Sequence, residues 1–139
     1  MKASDLFVKC LEAEGVTKIF GIPGEENADL MISLKKSKIE FVLCRHEQAA
    51  AFMADVYGRL TGKAGVCLAT LGPGVTNLMT GLADANMDRA PVVAIIGQGS
   101  TERLHKESHQ IMDSISMVAP ISKWAQTILS AKNVTEVVR

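Results

Sequence analysis

Residues 64–97 read AGVCLATLGPGVTNLMTGLADANMDRAPVVAIIG. The stretch opens on a short apolar run, 64–70, and breaks at LGPG, 71–74. A helical pattern follows over 75–88, and a second apolar run closes it at 91–97. Strand, glycine–proline loop, helix and strand in this succession form one parallel crossover unit. Both strand runs are continuously apolar rather than alternating, as expected when helices cover both faces of a sheet.

The alternation continues toward the N-terminus. TKIFGI (17–22) and IEFVLC (39–44) read as two further strands, separated by a helix from about Glu25 to Lys36 and followed by a helix opening near Glu47. The fold class is therefore α/β: a doubly wound, right-handed parallel sheet with helices on both faces. Ahead of it, Leu6, Phe7, Cys10 and Leu11 recur at helical spacing, with Ser4 expected as N-cap and Gly15 as a left-handed stop. Beyond GQGS (97–100) the pattern loosens. Residues 101–113 are polar, include His105 and His109, and read as a loop. NVTEVVR (133–139) has a capping-box spacing, Asn133 to Glu136, yet stops within two turns. The chain thus reads as one domain, residues 1–139, cut within its last elements.

Bulk properties narrow the function. The 139 residues are 47% hydrophobic and carry no net formal charge, enough for one cored domain and no more. Equal acid and base counts offer no electrostatic case for nucleic acid or an anionic membrane. Lys35, Lys36 and Lys38 fall where a helix should end, where cations complement its dipole. Cys10, Cys44 and Cys67 sit among apolar residues without CxxC spacing, as reduced packing groups of a cytoplasmic protein would. No window reaches the roughly 18 to 20 apolar residues that span a bilayer.

In this fold class ligands bind beyond the carboxyl ends of the strands. GIPGEEN, RHEQ, LGPGVTN and GQGSTE all fall at that edge. None is a GxGxxG or GxxxxGK[ST] phosphate cradle, proline lacks a donor, and Glu25 and Glu26 would repel a phosphate. Alone, either Gly–Pro loop is also compatible with an ordinary strand-to-helix turn. RHEQAAAFMADVYGR (45–59) sets an acid, Glu47, at the start of an alanine-rich helix. The helix dipole there favours the anion while burial favours the neutral acid, so a sequestered Glu47 could share a proton with a bound base. A solvated helix-start acid is the ordinary alternative. His46 beside it is either a proton relay or a packed, capping ring. Glu47, Ala51, Ala54 and Gly58 form one small-residue face, and Gly74, Leu78, Gly81 and Ala85 another. Such faces allow close helix approach, either between subunits or against the chain's own core.

The ordered motifs GIPGEEN, RHEQAAAFMADVYGR, GVCLATLGPGVTNLMTGLADANMDRAPVVAIIGQ and SHQIMD…ISKW resemble the N-terminal pyrimidine-binding (Pyr) domain of thiamine-diphosphate enzymes, in particular the acetolactate synthase large-subunit group. The resemblance covers nearly the whole chain. It implies that Glu47 hydrogen-bonds N1′ of the cofactor's aminopyrimidine, favouring the imino tautomer that deprotonates the thiazolium carbon. It also implies that Pro23 and Gly24 line the cofactor pocket, that Pro73 and Asn77 pack on and contact the aminopyrimidine, and that Gln110 faces the substrate. The implied reaction joins two pyruvates with loss of CO₂, pyruvate or a related 2-oxo acid being the substrate. Mg²⁺ would bind through a GDG…N motif in a diphosphate-binding (PP) domain of another subunit, a motif absent here, in a homodimer or homotetramer. Ile22 replaces a tyrosine and His109 a phenylalanine common in the biosynthetic, flavin-containing group, which weakens any claim for FAD. His105 and His109 lack an acidic or thiol partner at metal-ligand spacing, so no metal site is expected in this chain. Rival readings are another 2-oxo-acid decarboxylase, a flavin-linked oxidase, or a non-catalytic dimerisation module.

Overall fold

The computed structural model describes every residue except His105. Four strands, β1 (Lys18–Gly21), β2 (Glu40–Leu43), β3 (Gly65–Ala69) and β4 (Val92–Ile96), form one sheet of order β2-β1-β3-β4. Every pairing is parallel, with Ile19 opposite both Phe41 and Val66, and Cys67 opposite Ala94. β3 is central and buried throughout. The doubly wound sheet expected above is thus present, with strand boundaries within two residues of those expected.

The two faces of the sheet follow from strand alternation. Ile19, Val66 and Leu68 point to one side, where they pack with Val8 and Leu11 of α1 (Ala3–Ala13) and Leu34 of α2 (Ala28–Leu34). Phe20, Cys67 and Ala69 point to the other. There they meet Ala50, Ala51 and Ala54 of α3 (Glu47–Thr61) and Leu78 and Leu82 of α4 (Pro73–Met87). The reversal of direction after β2 carries α3 and α4 to the face opposite α1 and α2. Beyond β4, α5 (Ser114–Val118) packs near α4, and α6 (Val134–Val138) lies against α1.

Several local expectations are corrected. The first helix is capped by Lys2 rather than Ser4, because Asp5 accepts the Lys2 backbone N–H at 3.2 Å. Ser4 sits inside the first turn, its Oγ 2.9 Å from that of Ser33. The helix expected from Glu25 is divided into a 3-10 turn, Glu25–Asn27, and α2. Asn27 Oδ1 accepts the Gly24 N–H at 2.7 Å, and this side-chain bond bends the entry away from a regular helix. Asn133 makes no side-chain cap on α6; the helix is held by burial of Val134 instead. Apart from His105, which lies outside the described residues, 101–113 are irregular, as expected, with a 3-10 turn at Thr101–Arg103. Lys35 follows the last residue of α2, and all three of its clustered lysines are exposed.

The two small-residue faces turn inward. A Cβ on Gly81 would lie 2.6 Å from Ala51 Cβ, and one on Gly58 would lie 2.6 Å from the Pro91 carbonyl oxygen. They pack against each other and against the sheet within this chain, so these two faces are not available to a second subunit. A Cβ at Gly65 would overlap the Ala54 carbonyl oxygen, so β3 and α3 meet at backbone distance. Among the described residues no helix is long and apolar enough to cross a membrane.

Two outcomes follow from this packing. Gly65→Ala should lower the urea midpoint by an amount equivalent to roughly 1–3 kcal/mol with little change in slope, since backbone must move to admit the methyl. Cys67 is fully buried and its thiol is pushed up to about 12 by desolvation. A thiol-specific reagent applied to the folded chain should therefore leave Cys67 unlabelled, while denaturant should expose it.

Candidate functional site

The carboxyl ends of β1, β2 and β3 deliver three turns to one edge of the sheet. After β1 the chain runs through Ile22, Pro23 and Gly24. Ile22 N–H still bonds the Leu68 carbonyl at 3.3 Å, which ties this turn to β3. Gly24 has no side chain because none fits: a Cβ there would lie 2.5 Å from Thr70 Cβ. After β2, Cys44 N–H bonds Gly21 O at 2.9 Å, and His46 then opens α3. His46 Nδ1 accepts the Gln48 backbone N–H at 3.2 Å, so the ring acts as the helix cap. The capping alternative for His46 is the one observed.

After β3 the turn Thr70–Leu71–Gly72 reverses sharply into α4. Gly72 has φ 59°, in the left-handed region, and Pro73 occupies the first helical position, where its missing N–H costs nothing. Gln110 also lies in the left-handed region, φ 57°, and its carbonyl oxygen would be 2.6 Å from a Cβ on Gly72. A non-glycine residue held there marks a backbone constrained by its surroundings. The loop after β4 is drawn onto the Gly72 turn in this way, and Gly99 admits Ile111 at a similarly close approach. Arg103 adds a second tie: Nη1 is 3.8 Å from Glu26 Oε1, and Nε donates to Ser108 Oγ at 2.9 Å.

At the centre lies Glu47, the first residue of α3, only 9% exposed. Its Oε2 accepts a hydrogen bond from Asn77 Nδ2 at 3.0 Å, across from the second turn of α4. The solvated-acid alternative is therefore not the one adopted. Among the described residues Oε1 makes no comparable bond, which leaves one carboxylate oxygen held and the other free for a ligand. A buried carboxyl of this kind, held by one oxygen beside a helix N-terminus, presents the other oxygen at a fixed point.

Of the residues singled out from sequence, Glu47 and Asn77 are joined directly. Gln110 meets the Gly72 turn, beside Pro73, and Gly24 meets Thr70 of that same segment. Pro23, Pro73 and Gln110 are exposed, as residues lining an open edge would be. The Asn77 bond to Glu47 was not foreseen; nor were the Glu26–Arg103 and Thr70 contacts, whose partners lie far apart in sequence. An open apolar hollow of about 900 Å³, lined by Phe20, Phe52, Met53, Val56, Tyr57 and Leu60, lies on another side of α3 and does not include Glu47 or Asn77. No group of three or more potential metal ligands occurs among the described residues; His105 lies outside them.

Comparison with known proteins adds a second kind of observation. Residues 1–117 match the family described as "Thiamine pyrophosphate enzyme, N-terminal TPP binding domain". The chain is 46% identical over 135 residues to "Acetolactate synthase, catabolic" of Raoultella terrigena, covering 97% of this chain and 24% of that protein. It is 43% identical to "Acetolactate synthase" of Bacillus subtilis (strain 168), covering 99% of this chain and 24% of that protein. It is 41% identical to "Acetolactate synthase isozyme 2 large subunit" of Escherichia coli (strain K12), covering 99% of this chain and 25% of that protein. The chain spans about a quarter of the length of these curated relatives.

Removing the donor on α4 tests the central contact. Asn77→Ala should cost about 1–3 kcal/mol in chemical denaturation, because a buried carboxylate loses its partner. In a Glu47→Ala background the same change should cost clearly less, and equal costs in both backgrounds would show that the two side chains are not coupled.

Proposed function

This chain belongs to the thiamine pyrophosphate enzyme family as an N-terminal TPP binding domain, and from that premise we propose that it forms the pyrimidine-binding half of an acetolactate-synthase-like active site. The observation carrying this reading is the buried Glu47 carboxylate, with Oε2 held by Asn77 and Oε1 free. The donor set fits the aminopyrimidine end of thiamine diphosphate: one acid, one amide and two rigid Gly–Pro turns. It does not fit the diphosphate end, where Glu25 and Glu26 present negative charge. Anchoring of the diphosphate and Mg²⁺ is assigned to a PP domain outside this chain, and no FAD site is assigned.

When bound, the cofactor supplies the electron sink for decarboxylation of a 2-oxo acid such as pyruvate. This chain's residues supply the rest. Through Oε1 Glu47 would share a proton with the cofactor's aminopyrimidine ring. Asn77 keeps the carboxyl from turning away, and its bond to Oε2 selects which oxygen is presented. Burial under α4 keeps bulk water from competing for that proton. Pro23, Gly24 and Pro73 form stiff walls, and Gln110 reaches toward the substrate from the loop after β4.

The site is completed by another subunit in a homodimer or homotetramer. Leu43, Met53, Val56 and Leu60 support this, as large apolar side chains left exposed along the edge of β2 and α3. This chain by itself is accordingly silent, and a soluble cytoplasmic setting is consistent with reduced cysteines.

Grafting tests the reading. This chain should replace the matching segment of the Bacillus subtilis relative and sustain acetolactate formation from pyruvate, thiamine diphosphate and Mg²⁺. Glu47→Gln in that graft should lower turnover at least about 10²-fold with assembly and far-UV dichroism retained. Undiminished turnover in a folded Glu47→Gln graft would remove the proposal.

A further inference from the structure

The pair Glu47–Asn77 is one rung of a longer alignment between α3 and α4. Along the two helices Glu47 opposes Asn77, Ala51 opposes Gly81, and Arg59 opposes Asp84 and Asp88. Glu47 and Asn77 are 30 positions apart in the chain, and Arg59 and Asp88 are 29. The helices therefore run in the same direction in one register over more than three turns.

Closeness and register are separate constraints. Gly81 sets how near the axes lie, because any Cβ there would collide with Ala51. Glycine and alanine raise only low ridges, and a face built from them resists sliding weakly. A slip of one residue moves a helix by about 1.5 Å. An N–H···O bond is good only over roughly 2.7–3.2 Å, so such a slip breaks the Asn77–Glu47 contact. Some directional interaction must hold the axial position.

Arg59 has that character. Its Nε donates to Asp55 Oδ1 at 2.7 Å and Nη2 to Asp55 Oδ2 at 2.8 Å, a two-point fork on a carboxylate only 2% exposed. From this stiffened position Nη1 donates to Asp88 Oδ2 at 2.5 Å and Nη2 to Asp84 Oδ2 at 3.1 Å, the first on the residue that caps α4 and the second on its last turn. The bonds to Asp55 and then Asp88 push the guanidinium pKa up, so the charge is permanent.

We propose that Arg59 is a positioning residue: its fork between Asp55 on α3 and the C-terminal end of α4, at Asp84 and the capping Asp88, fixes the axial register of the two helices and thereby the Asn77–Glu47 hydrogen bond. The lock acts roughly 18 Å along the helix from the acid it serves. The positional claim concerns this chain alone. Its consequence for catalysis rests on the cofactor-facing reading of Glu47.

The alternative is that Arg59 only neutralises buried Asp55, in which case Asp84 and Asp88 are incidental. An Asp84→Ala/Asp88→Ala chain separates the two, since both positions are exposed and alanine favours helix. The Asn77 side-chain amide signals of this chain, followed by ¹⁵N NMR without any cofactor, give the readout. The double variant should shift those signals and speed exchange of the Nδ2 protons by about tenfold, the mark of a loosened local contact. Arg59→Lys keeps the charge beside Asp55 but not the fork, and should produce the same change. Unmoved Asn77 signals in the folded double variant overturn the proposal, whatever becomes of the cofactor reading.

Discussion

Contact between α3 and α4 at nearly backbone distance is the constraint from which the remainder of the site follows. It requires Ala51 and Gly81 to face each other, while Gly58 clears the Pro91 carbonyl and Gly65 admits the Ala54 carbonyl so that α3 also seats closely on the sheet. Larger side chains at these points would spread the helices and open the first turn of α3 to water. The same closeness lets the short Asn77 side chain reach Glu47. A carboxylate among alanines is thus explained by geometry: only small neighbours bring the amide near enough to hold it.

Burying an acid is costly unless the charge is partnered or the proton retained. The fold answers with one hydrogen bond from α4 and with placement at the positive end of a 15-residue helix. His46 strengthens that end by taking an orphan N–H of the first turn. At the far end Gly62, φ 69°, stops the helix, and Arg59 binds it to Asp84 and Asp88 at the end of its neighbour. Glu47 is therefore held from both ends of the element that bears it, whereas Pro23, Pro73 and Gln110 line an exposed edge. That division makes a surface that is rigid at the acid and open along its rim.

The open apolar hollow beside α3 belongs to a different side of the helix from the acid. Its size alone does not make it the chemical centre, since neither Glu47 nor Asn77 lines it. The small-residue faces carry the opposite lesson. They look like subunit interfaces in a linear reading, yet α4 uses one to cover the other.

The linear order of residues by itself determined the strand–helix alternation, the doubly wound class and the edge at which functional loops gather. Those features are periodic and local: apolar runs, Gly–Pro breaks and alanine-rich turns act over a few neighbours. The family motifs also singled out Glu47, Asn77 and Gln110 as expected site residues, and the structure joins the first two directly. Helix entry at Lys2 and the break at Asn27 were not legible, because a single side-chain bond decides each. Only the tertiary structure decided that Asn77 grips Glu47, that Gln110 closes on Gly72, and that Arg59 ties α3 to two acids at the C-terminal end of α4. Each joins residues distant in the chain, and a hydrogen bond depends on separations of tenths of an ångström that no spacing pattern encodes.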